Sequence, residues 1–278
     1  MSNIVLDFFA KFIEKELGIV YSADNYFQLQ NRLEEIVTLR KLKDIDTLLL
    51  LAQQGSDIVL KQLILDIATN NETSFYRDAR VFTGFRQFLV PQILQQKPPN
   101  RPFRIWSAAC SAGQEPYSLA MICHELKTSY PSLEFDIFAT DISERILKKA
   151  QAAKYTDLEV HRGLPNCLLE QHFKKTPDDQ WQLNEKIMSM VKTAKFNLLG
   201  PMHGYGKFDV IFCRNVLIYQ KIEAKTEIIK RLIHQIEPGG FLVMGAGESM
   251  LGISEGFEQH EYQNTIFYQI KNPLLKVA

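Results

Sequence analysis

The sequence predicts an α/β protein: a doubly wound parallel sheet, preceded by a bundle of helices and interrupted by a small insert. Three observations carry this. Residues 103–117 run from an apolar segment, Phe103-Arg104-Ile105-Trp106, through small residues from Ser107 to Gly113, into a helical pattern from Glu115 onward. A strand, a tight turn and a helix in that order open a βα unit, and such sheets bind ligands where strands end and helix N-termini face them. The first seventy residues repeat apolar positions at helical spacing without a strand signal. Residues 155–195 break the strand–helix rhythm, which resumes at Lys207.

In chain order, Val5, Phe8, Phe9, Phe12, Ile13 and Leu17 form a helical stripe ended by Gly18. Ser22 is placed to cap a second helix running to about Arg40, with Phe27, Leu29, Leu33, Ile36 and Val37 inward. Asp46 opens a third helix, ended by Gly55. Asp57 opens a fourth, with Ile58, Leu60, Leu63, Ile64 and Ile67 inward. The basic run at 40–43 (Arg40, Lys41, Lys43) reads either as a solvated helix end or as part of a surface for an acidic partner. A polar turn at 71–77 leads to a helix over 81–94, and the Pro-rich stretch 95–102 is the clearest linker.

After the linker, a second strand is predicted at 133–139, ending in Thr140-Asp141, with Ser143 capping a helix to about Ala150. The insert holds one short helix at 164–173, weak strand signals at 181–183 and 190–195, and a polar turn at 176–180. A buried strand at 207–213, a helix over 222–236, a Glu237-Pro238-Gly239-Gly240 turn, a strand at 241–244 and a last strand at 262–270 complete the chain. The expected organisation is a helical domain at 1–70, a connecting segment and helix at 71–102, and an α/β domain at 103–278 with the insert at about 155–195.

Composition narrows the function classes. Lys plus Arg and Asp plus Glu balance at 32 each, which argues against a nucleic-acid partner. No stretch approaches membrane-spanning length, and MSNIVLDFF lacks the basic start of a secretory signal. Cys110, Cys123, Cys167 and Cys213 are scattered and form no metal-binding pattern, so they read as reduced thiols of a cytoplasmic protein, and no metal is expected.

The turn at 108–113 lacks the GxGxxG of a pyrophosphate cradle, although its small residues let a ligand approach the backbone. Asp141 alone would be a cap or turn residue. At the end of the strand after this turn and helix, it can accept both hydroxyls of a ribose. Glu115 is either a first-turn acid favoured by the helix dipole or a handle for a ligand ammonium. A small-residue loop, no phosphate cradle and a strand-end acid together point to S-adenosyl-L-methionine, with S-adenosyl-L-homocysteine as product.

Five motifs make the reading specific: Asn71-x-Thr73-x-Phe75-x-Arg77; residues 109–118, ACSAGQEPYS; residues 139–143, ATDIS; Phe196-Asn197-Leu198; and residues 208–219, FDVIFCRNVLIY. In these the chain resembles the CheR family of chemotaxis methyltransferases, which methylate glutamate side chains of bacterial chemoreceptors. The resemblance spans nearly the whole chain. It implies a Rossmann-like class I methyltransferase domain, an N-terminal helical bundle and a small inserted antiparallel β-subdomain. It also implies cofactor contacts from Asn71, Thr73, Arg77, Glu115, Asp141, Asn197, Leu198, Arg214 and Asn215. Asp141 would take the ribose, Glu115 the methionine amino group and Asn197-Leu198 the adenine end. Arg77 and Tyr219 would face the methyl group and the incoming glutamate. The bland alternatives are surface ion pairs for Arg77 and Arg214, a helix-start aromatic for Tyr219 and a turn residue for Asn197. The implied partner is the cytoplasmic domain of methyl-accepting chemoreceptors, met by a monomer without membrane insertion.

Three departures from the family pattern stand out. Gln114 replaces a second acid, and Ala112 stands where Ser or Thr is common. The 176–180 turn is short and has no glycine, whereas relatives that grip a receptor C-terminal pentapeptide tend to have a longer, glycine-bearing loop. Receptor recognition without that tether is therefore expected, with the basic run and the bundle docking instead. Two other functions are weighed: methylation of a nucleic-acid base or small molecule, and a non-catalytic cofactor-binding scaffold. A base aminomethylase would carry Asn/Asp-Pro-Pro-aromatic where this chain has Cys213-Arg214-Asn215-Val216. Intact Arg77 and Tyr219 speak against the scaffold.

Overall fold

The computed structural model describes residues 3–98, 100–250 and 256–271. Met1, Ser2, Pro99 of the linker, and residues 251–255 and 272–278 of the expected α/β domain lie outside the described residues. Four helices open the chain: α1 (Asn3–Leu17), α2 (Tyr26–Leu39), α3 (Ile45–Gln54) and α4 (Ile58–Ala68). Their inward stripes, Val5, Phe9, Ile13 and Leu17 with Leu29, Leu33, Ile36, Leu48, Leu60 and Ile64, share one core.

Several expectations for this bundle change. Phe27 is 74% exposed and Ile58 81% exposed, because each lies two residues, about 200° of helix, from the buried Leu29 and Leu60. Ser22 makes no capping bond, since the 3-10 turn Ala23–Asn25 intervenes before α2. The cap of α3 is Asp44, not Asp46; its carboxylate accepts from the Thr47 N–H at 2.8 Å and Thr47 Oγ1 at 2.7 Å. Asp57 caps α4 as expected, accepting from the Leu60 N–H.

The connecting helix is not uniform. It runs as α5 (Ala79–Gly84), a π turn Phe85–Leu89, and α6 (Val90–Gln96). Pro91 has no N–H and its ring crowds the carbonyl one turn earlier, so the turn before it widens.

The remaining elements are β1 (Phe103–Ala108), α7 (Gln114–Leu126), β2 (Phe135–Asp141), α8 (Glu144–Ala152), β3 (Lys154–Tyr155), α9 (Asp157–His161), α10 (Asn166–His172), β4 (Phe173–Lys175), β5 (Trp181–Leu183), α11 (Glu185–Met188), β6 (Val191–Lys195), β7 (Phe208–Cys213), α12 (Ile222–His234), β8 (Ile236–Met244), β9 (Phe257–Tyr262) and β10 (Thr265–Ile270). The main sheet has the order β6-β2-β1-β7-β8-β10-β9. It is parallel from β6 to β8 and closes with the antiparallel β9–β10 hairpin. Strand order reverses between β1 and β7, which opens a crevice beyond their carboxyl ends. One apolar layer on the sheet joins α5–α7 and the insert; the other joins Trp106, Phe208 and Ile211 to α12.

The insert's own sheet is antiparallel, β3-β5-β4. The strand signal near 190–195 does not belong to it: β6 pairs in parallel with β2 in the main sheet, Ile137 opposite Val191 and Asp141 opposite Lys195. The Glu237-Pro238-Gly239-Gly240 turn lies inside β8, where a register shift opposite Asp209 absorbs it and Gly239 takes φ 79°. The last strand is half of a hairpin whose two-residue turn, Gln263-Asn264, has φ 49° and 58°, the left-handed pair that matches strand twist.

Candidate active site

A cleft opens at the crevice between β1 and β7, the place where a doubly wound sheet receives its ligand. Asn71, Thr73, Arg77, Glu115, Asp141, Asn197, Leu198, Arg214, Asn215 and Tyr219 all line it. So do Leu17, Ile19, Thr69 and Asn70 from the bundle side, which sequence reasoning did not assign to the site.

The floor is the loop after β1. Ala109, Ser111 and Gly113 take φ of 60°, 52° and 92°, so two side-chain-bearing residues sit in the left-handed region, at a cost of order 1–3 kcal/mol each. The surroundings hold them there. Asp141 Oδ2 accepts the Ser111 N–H and Oδ1 the Ser143 N–H, both at 2.9 Å. The Cys110 N–H reaches the Thr140 carbonyl at 2.8 Å. Tyr155 of β3 donates to the Ala112 carbonyl at 2.8 Å. A Cβ on Gly113 would lie 3.0–3.1 Å from Tyr117, Ala150 and Tyr155, so only glycine closes this turn without pushing on them. Burial raises the Asp141 pKa despite its bonds from the Ser143, Ser111 and Ile142 amides, and nearby Asp66 adds to the rise.

The wall facing this loop is a charged relay. Ser107 Oγ donates to Glu115 Oε1 at 2.7 Å, and Arg214 Nη1 to Glu115 Oε2 at 3.0 Å. Arg214 Nη2 also donates to Asp78 Oδ2 at 2.6 Å and to the Arg77 carbonyl at 2.8 Å. Its side chain is 2% exposed, so it is no surface ion-pair partner; it ties the end of β7 to the start of α7 and to the 71–78 segment. Glu115 keeps 13% of its side chain exposed, on the cleft.

The 71–78 segment is braced from two sides. Phe75 is fully buried against Tyr155 and Phe173 of the insert, with ring centroids 4.9 and 5.6 Å away. Ser111 Oγ donates to the Asn71 carbonyl at 2.9 Å. Half-buried Arg77 donates to the Glu72 carbonyl at 3.0 Å, and Glu72 is paired with Arg162 of the insert. At the other end Asn197 donates to the Glu16 carbonyl and accepts the Leu199 N–H, both 2.9 Å, so it is a turn residue as well as a cleft residue. Asn70 Nδ2 donates to Tyr219 Oη at 2.7 Å. The Val20 N–H reaches the Tyr219 carbonyl at 3.0 Å across an isolated Ile19–Gln220 bridge.

Sequence reasoning also missed Ser107, Asp78 and Glu248. Glu248 lies four positions past the end of β8 at Met244, in the loop that follows the strand, so a search for acids in loops at strand carboxyl ends, and not only at the last strand residue as with Asp141, would have found it. Among the described residues no three His, Cys, Asp or Glu side chains gather as a metal site. No single helix among them is long and apolar enough to cross a membrane; α3 and α4 pass that test only as a pair bent by 120°.

The chain is similar to known proteins along nearly its full length. A family model described as "CheR methyltransferase, SAM binding domain" matches residues 71–266. The chain is 33% identical over 276 residues to the chemotaxis protein methyltransferase Cher2 of Pseudomonas putida, covering 98% of this chain and 100% of that protein. It is 36% identical over 265 residues to the chemotaxis protein methyltransferase of Vibrio parahaemolyticus, covering 95% of each. It is 34% identical over 275 residues to chemotaxis protein methyltransferase 1 of Pseudomonas aeruginosa, covering 97% and 99%. The chain therefore belongs to the CheR family of S-adenosylmethionine-dependent chemotaxis methyltransferases.

Proposed function

We propose that this protein esterifies glutamate side chains on the cytoplasmic domain of chemoreceptors. The observation that carries the reading is the convergence of Glu115, Asp141, Arg77 and Tyr219 on one cleft, in a chain of this family. The cleft suits the cofactor by its own chemistry: an acid at a helix start for an ammonium, an acid at a strand end for a ribose, and a one-glycine loop with no pyrophosphate cradle. Glu115 would hold the amino group, Asp141 the ribose hydroxyls, and Asn197 and Leu198 the adenine end. Asn71, Thr73, Arg214 and Asn215 would complete the contacts.

Bound S-adenosylmethionine supplies a methyl group activated on a positive sulfur. A glutamate carboxylate is ionised at neutral pH, so the chain need provide no general base. Its work is to orient the two ions and exclude water while their charges cancel. The Arg77 guanidinium can steer the carboxylate. Tyr219 Oη already accepts from Asn70, which leaves its own proton to donate to the incoming group.

Docking without a C-terminal tether is part of the proposal. The 176–180 turn is closed on itself: the Thr176 N–H and Oγ1 both donate to the Gln180 carbonyl, at 2.7 and 3.0 Å. Arg40 of the basic run is paired with Asp57 at 2.6 Å, while Lys41 and Lys43 are exposed for an acidic receptor face. Tritiated methyl transfer to receptor-bearing membranes tests the whole: base-labile methyl esters are expected, and their absence with active cofactor binding sinks the substrate. A micromolar complex with a receptor C-terminal pentapeptide in calorimetry would remove the untethered part alone.

A further inference from the structure

Glu248 carries no role in the reading so far, yet no other carboxylate in the described structure gathers so many backbone donors. It is 7% exposed. Its Oε1 accepts the N–H groups of Val216 at 3.1 Å, Leu217 at 2.7 Å and Ile218 at 3.3 Å. Its Oε2 accepts those of Asn215 at 2.9 Å and Gly245 at 2.8 Å. A carboxylate offers about four lone-pair sites, so these donors use all of its capacity. Four of the five follow β7: Asn215, in the left-handed region at φ 58°, and Val216 belong to the loop, and Leu217 and Ile218 to the Leu217–Tyr219 turn it leads into. That loop has no sheet or helix ladder over 214–216 to fix it. A Cβ on Gly245 would lie 2.8–2.9 Å from Asn215 Nδ2, the Asn215 N and Glu248 Oε2, so β8 approaches the loop as closely as glycine allows.

We infer that Glu248 is a positioning residue for methyl transfer: its carboxylate, reaching across from the end of β8, sets the loop that presents Arg214, Asn215 and Tyr219 to the cleft. The inference rests on the proposed placement of those three residues at the cofactor. Its chemistry is the reverse of an anion site for a ligand: the chain fills a nest of backbone N–H groups with its own anion. A neutral amide cannot replace it. Glu248→Gln turns one oxygen into an NH₂ facing two or three backbone N–H donors, and the loop must open.

The test is Glu248→Gln, measured by calorimetric titration with S-adenosylhomocysteine and by methyl transfer to receptor-bearing membranes. Expected are a kcat lower by about tenfold or more and a weaker product complex, with no additional kcat loss when Tyr219→Phe is combined with it, since both act through one side chain. Wild-type kcat and affinity overturn the inference, even if the melting temperature falls. So do losses that simply add to those of Tyr219→Phe. If Glu248→Gln does not fold, Gly245→Ala decides: its methyl presses on the same clamp and should reproduce the losses, and a fully active Gly245→Ala overturns the inference. If the unmodified protein binds S-adenosylhomocysteine but methylates no receptor, the substrate reading has failed, and the affinity arm alone still decides the role of Glu248.

Discussion

Arg214→Lys keeps the charge of the buried relay and removes its geometry. The guanidinium serves three acceptors, Glu115 at 3.0 Å, Asp78 at 2.6 Å and the Arg77 carbonyl at 2.8 Å. A single ammonium nitrogen, without the planar fork, cannot span both carboxylates and the carbonyl. At least one charged contact is lost, and charged hydrogen bonds are worth about 1.5–3 kcal/mol each. Asp78 is 42% exposed and its share is discounted for screening; Glu115, 13% exposed, is not. The expected cost is about 2–3 kcal/mol, below the 3–5 kcal/mol of a fully broken buried pair. For a chain of this size that lowers Tm by roughly 5–10 °C. Glu115, held by Ser107 alone, should bind S-adenosylhomocysteine about tenfold less tightly, close to 1.4 kcal/mol. Scanning calorimetry and titration calorimetry read the two effects separately. A Tm within about 2 °C of wild type, or an unchanged affinity, would refute the relay as the link between the β7 loop and the cofactor handle.

Three further outcomes are expected. Tyr219→Phe removes the acceptor of the Asn70 amide and the only proton Tyr219 can offer, so S-adenosylhomocysteine affinity should hold while kcat drops by about tenfold; an affinity loss equal to the kcat loss would place Tyr219 in binding instead. Lys97→Met strands Asp209, whose carboxylate takes the ammonium at 2.7–2.8 Å with both side chains 3% exposed. Because Arg101 and the Arg104 N–H remain on Asp209, the stability loss in urea unfolding should sit near 3 kcal/mol, the low end for a broken buried pair, with cofactor affinity intact because Asp209 lies at the opposite end of the sheet. Asp136 has its pKa raised by burial, but its bonds to Lys192 and Arg104 outweigh this and set it below 3.8. The stability it contributes is present above that value and is lost as pH falls through the depressed one. Asp136→Asn should therefore flatten the acid limb of the Tm curve, and a wild-type-like acid limb would show that the pairs contribute nothing.

What could be read from residues alone was set by whether the signal was local. Asp57, Gly55 and Ser143 announce helix ends because a cap is a contact over three residues. Gly113 announced the cleft because the end of β1 and the start of α7 are neighbours in sequence, and Asp141 ends the next strand. Other features failed for stated reasons. Phe27 and Ile58 looked inward because an apolar residue near a stripe counts toward it, whichever face it takes. The membership of β6 is decided by long-range pairing, Val191 with Ile137, which its own alternation does not encode. The Pro-Gly-Gly of β8 reads as a turn because the register shift that absorbs it depends on Asp209 of the neighbouring strand. Ten cleft residues were found by motif, but Leu17, Ile19, Thr69 and Asn70 of the bundle side were not, nor were the ties that hold the site: that Arg214 bonds Glu115, or that Asn197 reaches Glu16, is long-range information.

The short bridge between Ile19 and Gln220 carries a practical meaning for how this protein can be divided. The family description covers residues 71–266, and a gene cut there would look like an intact catalytic module. It would lack Leu17, Ile19, Thr69 and Asn70, which form one side of the cleft. It would also lack the Gly18 carbonyl that accepts the Lys221 N–H and the Glu16 carbonyl that anchors Asn197. The bundle is therefore not an adaptor that could be exchanged for another targeting domain while the catalytic half carries on unchanged. Any recombination that replaces it must also rebuild a wall of the cleft.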